Sequence, residues 1–168
     1  MKFEVANLKL AVAFAAMLAG SAVLAEPAPE TAAAEDLKLT VYHDPNCGCC
    51  GEWMAHMQDN GFAVESMTQS GINEIKQKLG VPQQVWSCHT ALVEGYVVEG
   101  HVPADDVKRL VSGKPDVVGI AVPGMPLGSP GMEYGEQRMA FDVVSFDEAG
   151  ETAVFNHYPA IESQEPAE

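Results

Sequence analysis

Three of the chain's four cysteines fall within four residues, Cys47-Gly48-Cys49-Cys50, and the fourth, Cys88, stands alone downstream. The run follows a strand-like stretch, Leu37-Lys38-Leu39-Thr40-Val41-Tyr42, in which apolar and polar residues alternate. Cys50, Trp53, Met54 and Met57 then recur at helical spacing toward Gly61, a residue suited to ending a helix. The cysteine turn therefore sits where a strand gives way to a helix. Unpaired backbone N–H groups and the positive end of the helix dipole favour thiolate there, the nucleophilic and metal-binding form of cysteine. A fold that uses all four sulfurs together must carry Cys88 back to that turn.

The remaining pattern alternates in the same way. His43-Asp44-Pro45-Asn46 reads as a loop. Phe62 to Met67 reads as a second strand, and Ile72, Ile75 and Leu79 mark a helix that stops at Gly80 before Pro82. Thr90–Val93 and Tyr96–Val98 are predicted as strands joined at Glu94-Gly95, and Pro103 opens a helix closed by Gly113 and Pro115. The order β-α-β-α-β-β-α predicts an α/β, thioredoxin-like domain, a central mixed sheet flanked by helices. Pro123 to Gly135 holds too many Pro and Gly residues for regular structure and reads as an added loop. Phe141–Phe146 and Thr152–His157, flanking Asp147-Glu148-Ala149-Gly150, read as a C-terminal β-hairpin. In such a fold the loop before the third strand packs against the cysteine turn, so Trp86-Ser87-Cys88-His89-Thr90 should bring Cys88 to face the other three sulfurs.

The ends read differently from the middle. Residues 1–25 have the pattern of a signal peptide: Lys2 and Lys9, an apolar run from Leu10 to Leu18, and Ser21-Ala22-Val23-Leu24-Ala25 before a cut after Ala25. Residues 26–36 are expected to form a flexible acidic leader and 159–168 a disordered tail, leaving 37–158 as one domain. This reading makes the protein periplasmic, with no membrane span in the mature chain. Against 9 Lys and Arg stand 24 Asp and Glu, a net charge of −15, which excludes nucleic acid as an expected partner.

Three readings compete for the cysteines. A structural disulfide, Cys47–Cys50 or one to Cys88, leaves two thiols idle beside it. Thiol–disulfide exchange through Cys47 and Cys50 suits a C-x-x-C at a helix start, but Cys49 and Cys88 would trap non-productive bridges. Metal binding uses all four, and the pattern favours it. Converging thiolates suit a soft ion such as Cu(I), or Zn(II) in a closed tetrahedral site. Three ligands from one turn crowd a mononuclear site, and thiolates bridging several Cu(I) ions relieve that crowding, which places copper ahead of zinc. Cys47, Cys49, Cys50 and Cys88 are thus the candidate metal ligands. His89, Met125 and Met132 are further candidates by softness and position. His43 and His101 near strand ends, and His56 on the first helix, are expected at the surface; Trp53, Met54 and Met57 are expected in the core. Asp44 is read as a turn former.

Taken in order, the segments Val41-Tyr42 through Pro45-Asn46-Cys47-Gly48-Cys49-Cys50-Gly51, Ser87-Cys88-His89-Thr90-Ala91, Glu99-Gly100-His101-Val102-Pro103-Ala104 and Ala121-Val122-Pro123-Gly124-Met125-Pro126-Leu127-Gly128-Ser129-Pro130-Gly131-Met132-Glu133 resemble the CopG-like family of metal-binding proteins, long filed as a domain of unknown function. The likeness runs from about Leu37 to His157. It implies a thioredoxin-like fold, a periplasmic location, an association with copper resistance in Gram-negative bacteria, and Cys47, Cys49, Cys50 and Cys88 as the metal ligands. The expected function is copper binding, with Cu(I) sequestered or passed to other periplasmic copper-handling proteins. Catalysis is not required, although a redox role coupled to copper fits the same residues.

Overall fold

The computed structural model describes residues 37–162. The signal peptide, the acidic leader and the last six residues of the expected tail lie outside the described residues. Seven strands form one mixed sheet in the order β2-β1-β3-β4-β5-β6-β7. They are β1 (Leu37–His43), β2 (Phe62–Thr68), β3 (His89–Val93), β4 (Tyr96–Glu99), β5 (Gly119–Ala121), β6 (Phe141–Phe146) and β7 (Thr152–Tyr158). The helices are α1 (Gly48–Asp59), α2 (Ile72–Lys78) and α3 (Ala104–Gly113), with a 3-10 turn at Gln83–Val85. β1 and β2 run parallel, as do β4 and β5, and each pair is joined by a helical crossover, α1 and α3 respectively.

Pleating divides the core in two, because successive side chains on a strand point to opposite faces. Leu39, Val41, Ala91, Val93, Val98, Ile120 and Val143 pack with Trp53 and Met57 of α1 and Val107 and Leu110 of α3. Leu92, Val97, Ala121, Val144 and Phe146 pack with Leu79, Val81, Val85 and Trp86, which follow α2. Helical segments therefore cover both faces, as the element order predicts. Trp53 and Met57 are fully buried and Met54 packs against the same core, which bears out the reading of that stripe.

Local chemistry explains the element ends. Asn60 ends α1 and Gly61 follows with φ 84°, the left-handed residue beyond a helix. Glu94 and Gly95 both take positive φ, 47° and 85°, the requirement of a tight two-residue hairpin turn. At α3 the left-handed residue is Lys114, φ 45°, rather than the preceding glycine. β5 was not anticipated: three buried residues ahead of Pro123 are too few to show a period. Pro123 to Gly135 forms no helix or strand but is tied by its own turns, with Gly128 N–H donating to Met132 O at 2.8 Å and Met132 N–H to Ser129 O at 2.8 Å. Beyond β7, Arg138 and Ile161 exchange backbone hydrogen bonds of 2.9 and 2.8 Å.

Candidate metal centre

The cysteine turn forms where β1 ends. The Asp44 carboxylate accepts Asn46 N–H at 2.8 Å, and Asp44 O accepts Cys47 N–H at 3.1 Å, so Asp44 shapes the turn as its sequence suggests. Cys47 occupies the N-cap of α1. Cys47 and Cys50 are joined in a disulfide with Cα atoms 5.4 Å apart, and Cys50 is fully buried. Cys49 and Cys88 are free thiols. Cys49 Sγ lies 3.6 Å from Cys47 Sγ and 3.9 Å from Cys88 Sγ, and all four sulfurs lie within 4.8 Å of one another. A tetrahedral ion with metal–sulfur bonds of about 2.3 Å sets its sulfurs roughly 3.8 Å apart. The spacings to Cys49 already match that. The Cys47–Cys50 pair must be reduced before both of its sulfurs can serve as thiolate ligands.

Cys88 arrives as expected, from the segment leading into β3. It also carries a second constellation: Cys88 Sγ, His89 and His101 nitrogens again lie within 4.8 Å of one another. His101 Nε2 is 2.9 Å from Cys88 Sγ and His89 Nδ1 is 3.1 Å from it. His101 Nδ1 donates to Pro130 O at 2.8 Å, which leaves the Nε2 lone pair facing Cys88. A histidine whose second nitrogen is anchored on a carbonyl is prepared for metal ligation. His89 is fully buried, its ring centroid 4.3 Å from that of Trp53, and its Nε2 has no hydrogen-bond partner. Burial, reinforced by Cys49, pushes the Cys88 thiol up to about 12, so Cys88 is a neutral thiol at ordinary pH.

The histidine expectations need correction. His101 is fully buried beside Cys88, not at the surface. The β3–β4 hairpin explains this. Thr90 pairs with Glu99, so continuing the antiparallel register sets Cys88 opposite His101. His43 is only 9 % exposed, with Nε2 2.7 Å from Ser66 Oγ on β2. His56 is half-buried, and its Nε2 accepts the first N–H of α3, from Ala104, at 3.2 Å. Met125 is 53 % exposed and Met132 half-buried.

The Pro/Gly loop closes over this centre. A Cβ on Gly131, φ 81°, would meet Trp53 N at 2.6 Å and Cys49 O at 3.0 Å. Backbone cannot yield as a side-chain tip can. Gly131→Ala should therefore cost on the order of 1–3 kcal/mol, read as a lower urea midpoint. An unchanged midpoint would mean that the loop is not held against α1.

Three histidines also make the metal-free protein sensitive to mild acid. Burial lowers the pKa of His56, His101 and His89 from 6.5, and the neighbouring His101 adds to the effect at His89. Each therefore binds a proton more readily unfolded than folded. The stability this represents is present above the ordinary value of 6.5 and is lost as pH falls from there toward the lowered folded-state values. The urea midpoint should fall between pH 7.5 and 5, and His56→Gln should flatten that slope. A slope of the opposite sign in this range would contradict the assignment.

A family model described as "Protein of unknown function, DUF411" matches residues 85–132, a span that includes Cys88, His89, His101, Met125 and Met132. No curated protein matches the chain. Two solved structures do, described as "Copper resistance protein copG- Form 2" and "Copper resistance protein copG- Form 1". The first shows 46% identity and a TM-score of 0.72 over 74% of this chain and 100% of its own. The second shows 46% identity and a TM-score of 0.71 over 74% of this chain and 99% of its own. With that identity over the whole length of those relatives, this chain belongs to the CopG-like DUF411 family.

Proposed function

We propose that the protein is an exported, periplasmic copper-binding protein that takes up Cu(I) through Cys47, Cys49, Cys50 and Cys88 and sequesters it or hands it on. The observation that carries this reading is the convergence of four sulfurs within 4.8 Å. Sulfur donors select soft ions, and Cu(I) is the softest common candidate. His101 Nε2 and His89 Nδ1 extend the donor set from the Cys88 side. The relatives' description as copper resistance proteins supports copper over zinc. Among the described residues no helix is long and apolar enough to cross a membrane. Loading begins with reduction by an external dithiol: exchange opens the Cys47–Cys50 disulfide into two thiols while the dithiol closes to its own disulfide. Metal binding then releases thiol protons.

The test is an anaerobic Cu(I) titration of the fully reduced protein, followed by desalting, metal analysis and thiol counting. Copper should be retained with all four thiols masked, and a ratio above one copper per chain would identify a polynuclear site. Loss of all copper on desalting would defeat the reading.

One observation favours a second reading. The closed Cys47–Cys50 pair at the start of α1 is the arrangement of a thiol–disulfide oxidoreductase. That reading requires catalytic reduction of insulin by wild type and by Cys49→Ser and Cys88→Ser variants. An inactive wild type removes it.

A further inference from the structure

On the opposite face of β3 from His89 lies a buried ion pair that touches none of the cysteine sulfurs. Lys76 of α2 and Glu99 of β4 are 1% and 0% exposed, with Nζ 2.5 Å from Oε1. A lysine on the apolar stripe of Ile72, Ile75 and Leu79 is costly to bury, and such pairs are commonly replaceable by apolar residues without loss of stability. Their hydrogen bonds point to another role. Glu99 Oε1 accepts Ser87 N–H at 2.6 Å, and Glu99 Oε2 accepts the Thr90 hydroxyl at 2.7 Å. Lys76 Nζ donates to the same Thr90 Oγ1 at 3.0 Å. One carboxylate thus grips the residue immediately before Cys88 and the residue two after it. Neighbouring bonds complete the restraint: Gly100 N–H donates to His89 O at 3.0 Å, and Ser87 Oγ donates to Gly124 O.

We propose that Glu99, neutralised by Lys76, is a positioning residue for Cys88: its carboxylate fixes the Ser87–Thr90 segment so that the Cys88 sulfur is held at the metal centre. The pair is thereby dispensable for folding and needed for the site. The inference deepens the copper reading and rests on it for one of two readouts.

Two double variants separate acceptor geometry from charge. In Lys76→Met/Glu99→Gln the amide oxygen still accepts Ser87 N–H and the amide N–H₂ can reach Thr90, without charge. Lys76→Met/Glu99→Leu fills similar volume with no acceptor. Both should fold. Cu(I) affinity, measured by competition with a chromophoric chelator, should be near wild type in the Gln variant. In the Leu variant it should be about 10–100-fold weaker, the usual cost of losing a group that orients a ligand. The second readout is metal-free: iodoacetamide alkylation of Cys88, resolved from Cys49 by mass spectrometry. It should be at least about tenfold faster in the Leu variant alone, since an unanchored segment opens more often. Equal alkylation and affinity in both variants would overturn the proposal, and so would losses shared by both. A Leu variant that does not fold would also overturn it, by making the pair a structural requirement. Should wild type retain no copper, the copper reading fails by itself and alkylation alone decides this inference.

Discussion

Replacing Cys88 by Ser should abolish tight copper retention, with a fall in Cu(I) affinity beyond the 10–100-fold typical of an orienting group. The reason lies in what Cys88 joins. It is the sulfur brought from a second part of the chain to face Cys49 at 3.9 Å, and the one atom shared by the thiol and imidazole clusters. A serine hydroxyl is a hard donor and a poor partner for a soft ion. The variant should fold normally, because Cys88 is only half-buried and makes no disulfide. The measurement is a competition titration of reduced protein against a chromophoric Cu(I) chelator. Affinity equal to wild type would remove Cys88 from the site.

The largest effect on stability is expected at Trp53. Its side chain is fully buried, its Nε1–H donates to Val102 O at 2.9 Å, and its ring packs against that of His89. Trp53→Ala should cost about 3–5 kcal/mol, combining lost burial with a cavity that a sheet on one side and two helices on the other cannot fill. A urea or thermal unfolding series gives the figure directly. The same substitution removes the wall behind His89, so weaker copper binding should accompany it even where the variant is fully folded. A change below about 1 kcal/mol would show that Trp53 is not the centre of this core, since surface-like positions vary only within that range.

Much of this architecture can be read from local chemistry. Alternation in Leu37–Tyr42, the Glu94-Gly95 turn and the Asp147–Gly150 turn each predict an element that the structure contains. Cys88 is placed correctly from element order. His101 was legible in principle: the two-residue turn fixes the hairpin register, and counting back from it sets His101 opposite Cys88. Treating strand ends as surface concealed it, because the Pro/Gly loop that buries His101 has no period from which its path could be read. Lys76 carries a visible signal, a cation in an apolar stripe, but its partner Glu99 lies on a different element and only the fold connects them. β5 escaped because three residues are too short to alternate.

Pleat and register also separate the molecule's two ends. Cys88, His89 and Glu99 lie at one end of the β3–β4 pair, whereas Glu94-Gly95 turns at the other, and Phe146 reaches that same far end through Gly119 and Val97. The Asp147–Gly150 turn therefore offers an attachment point remote from the sulfurs. A fluorophore or surface tether placed at exposed Glu148 should leave the four sulfurs chemically untouched.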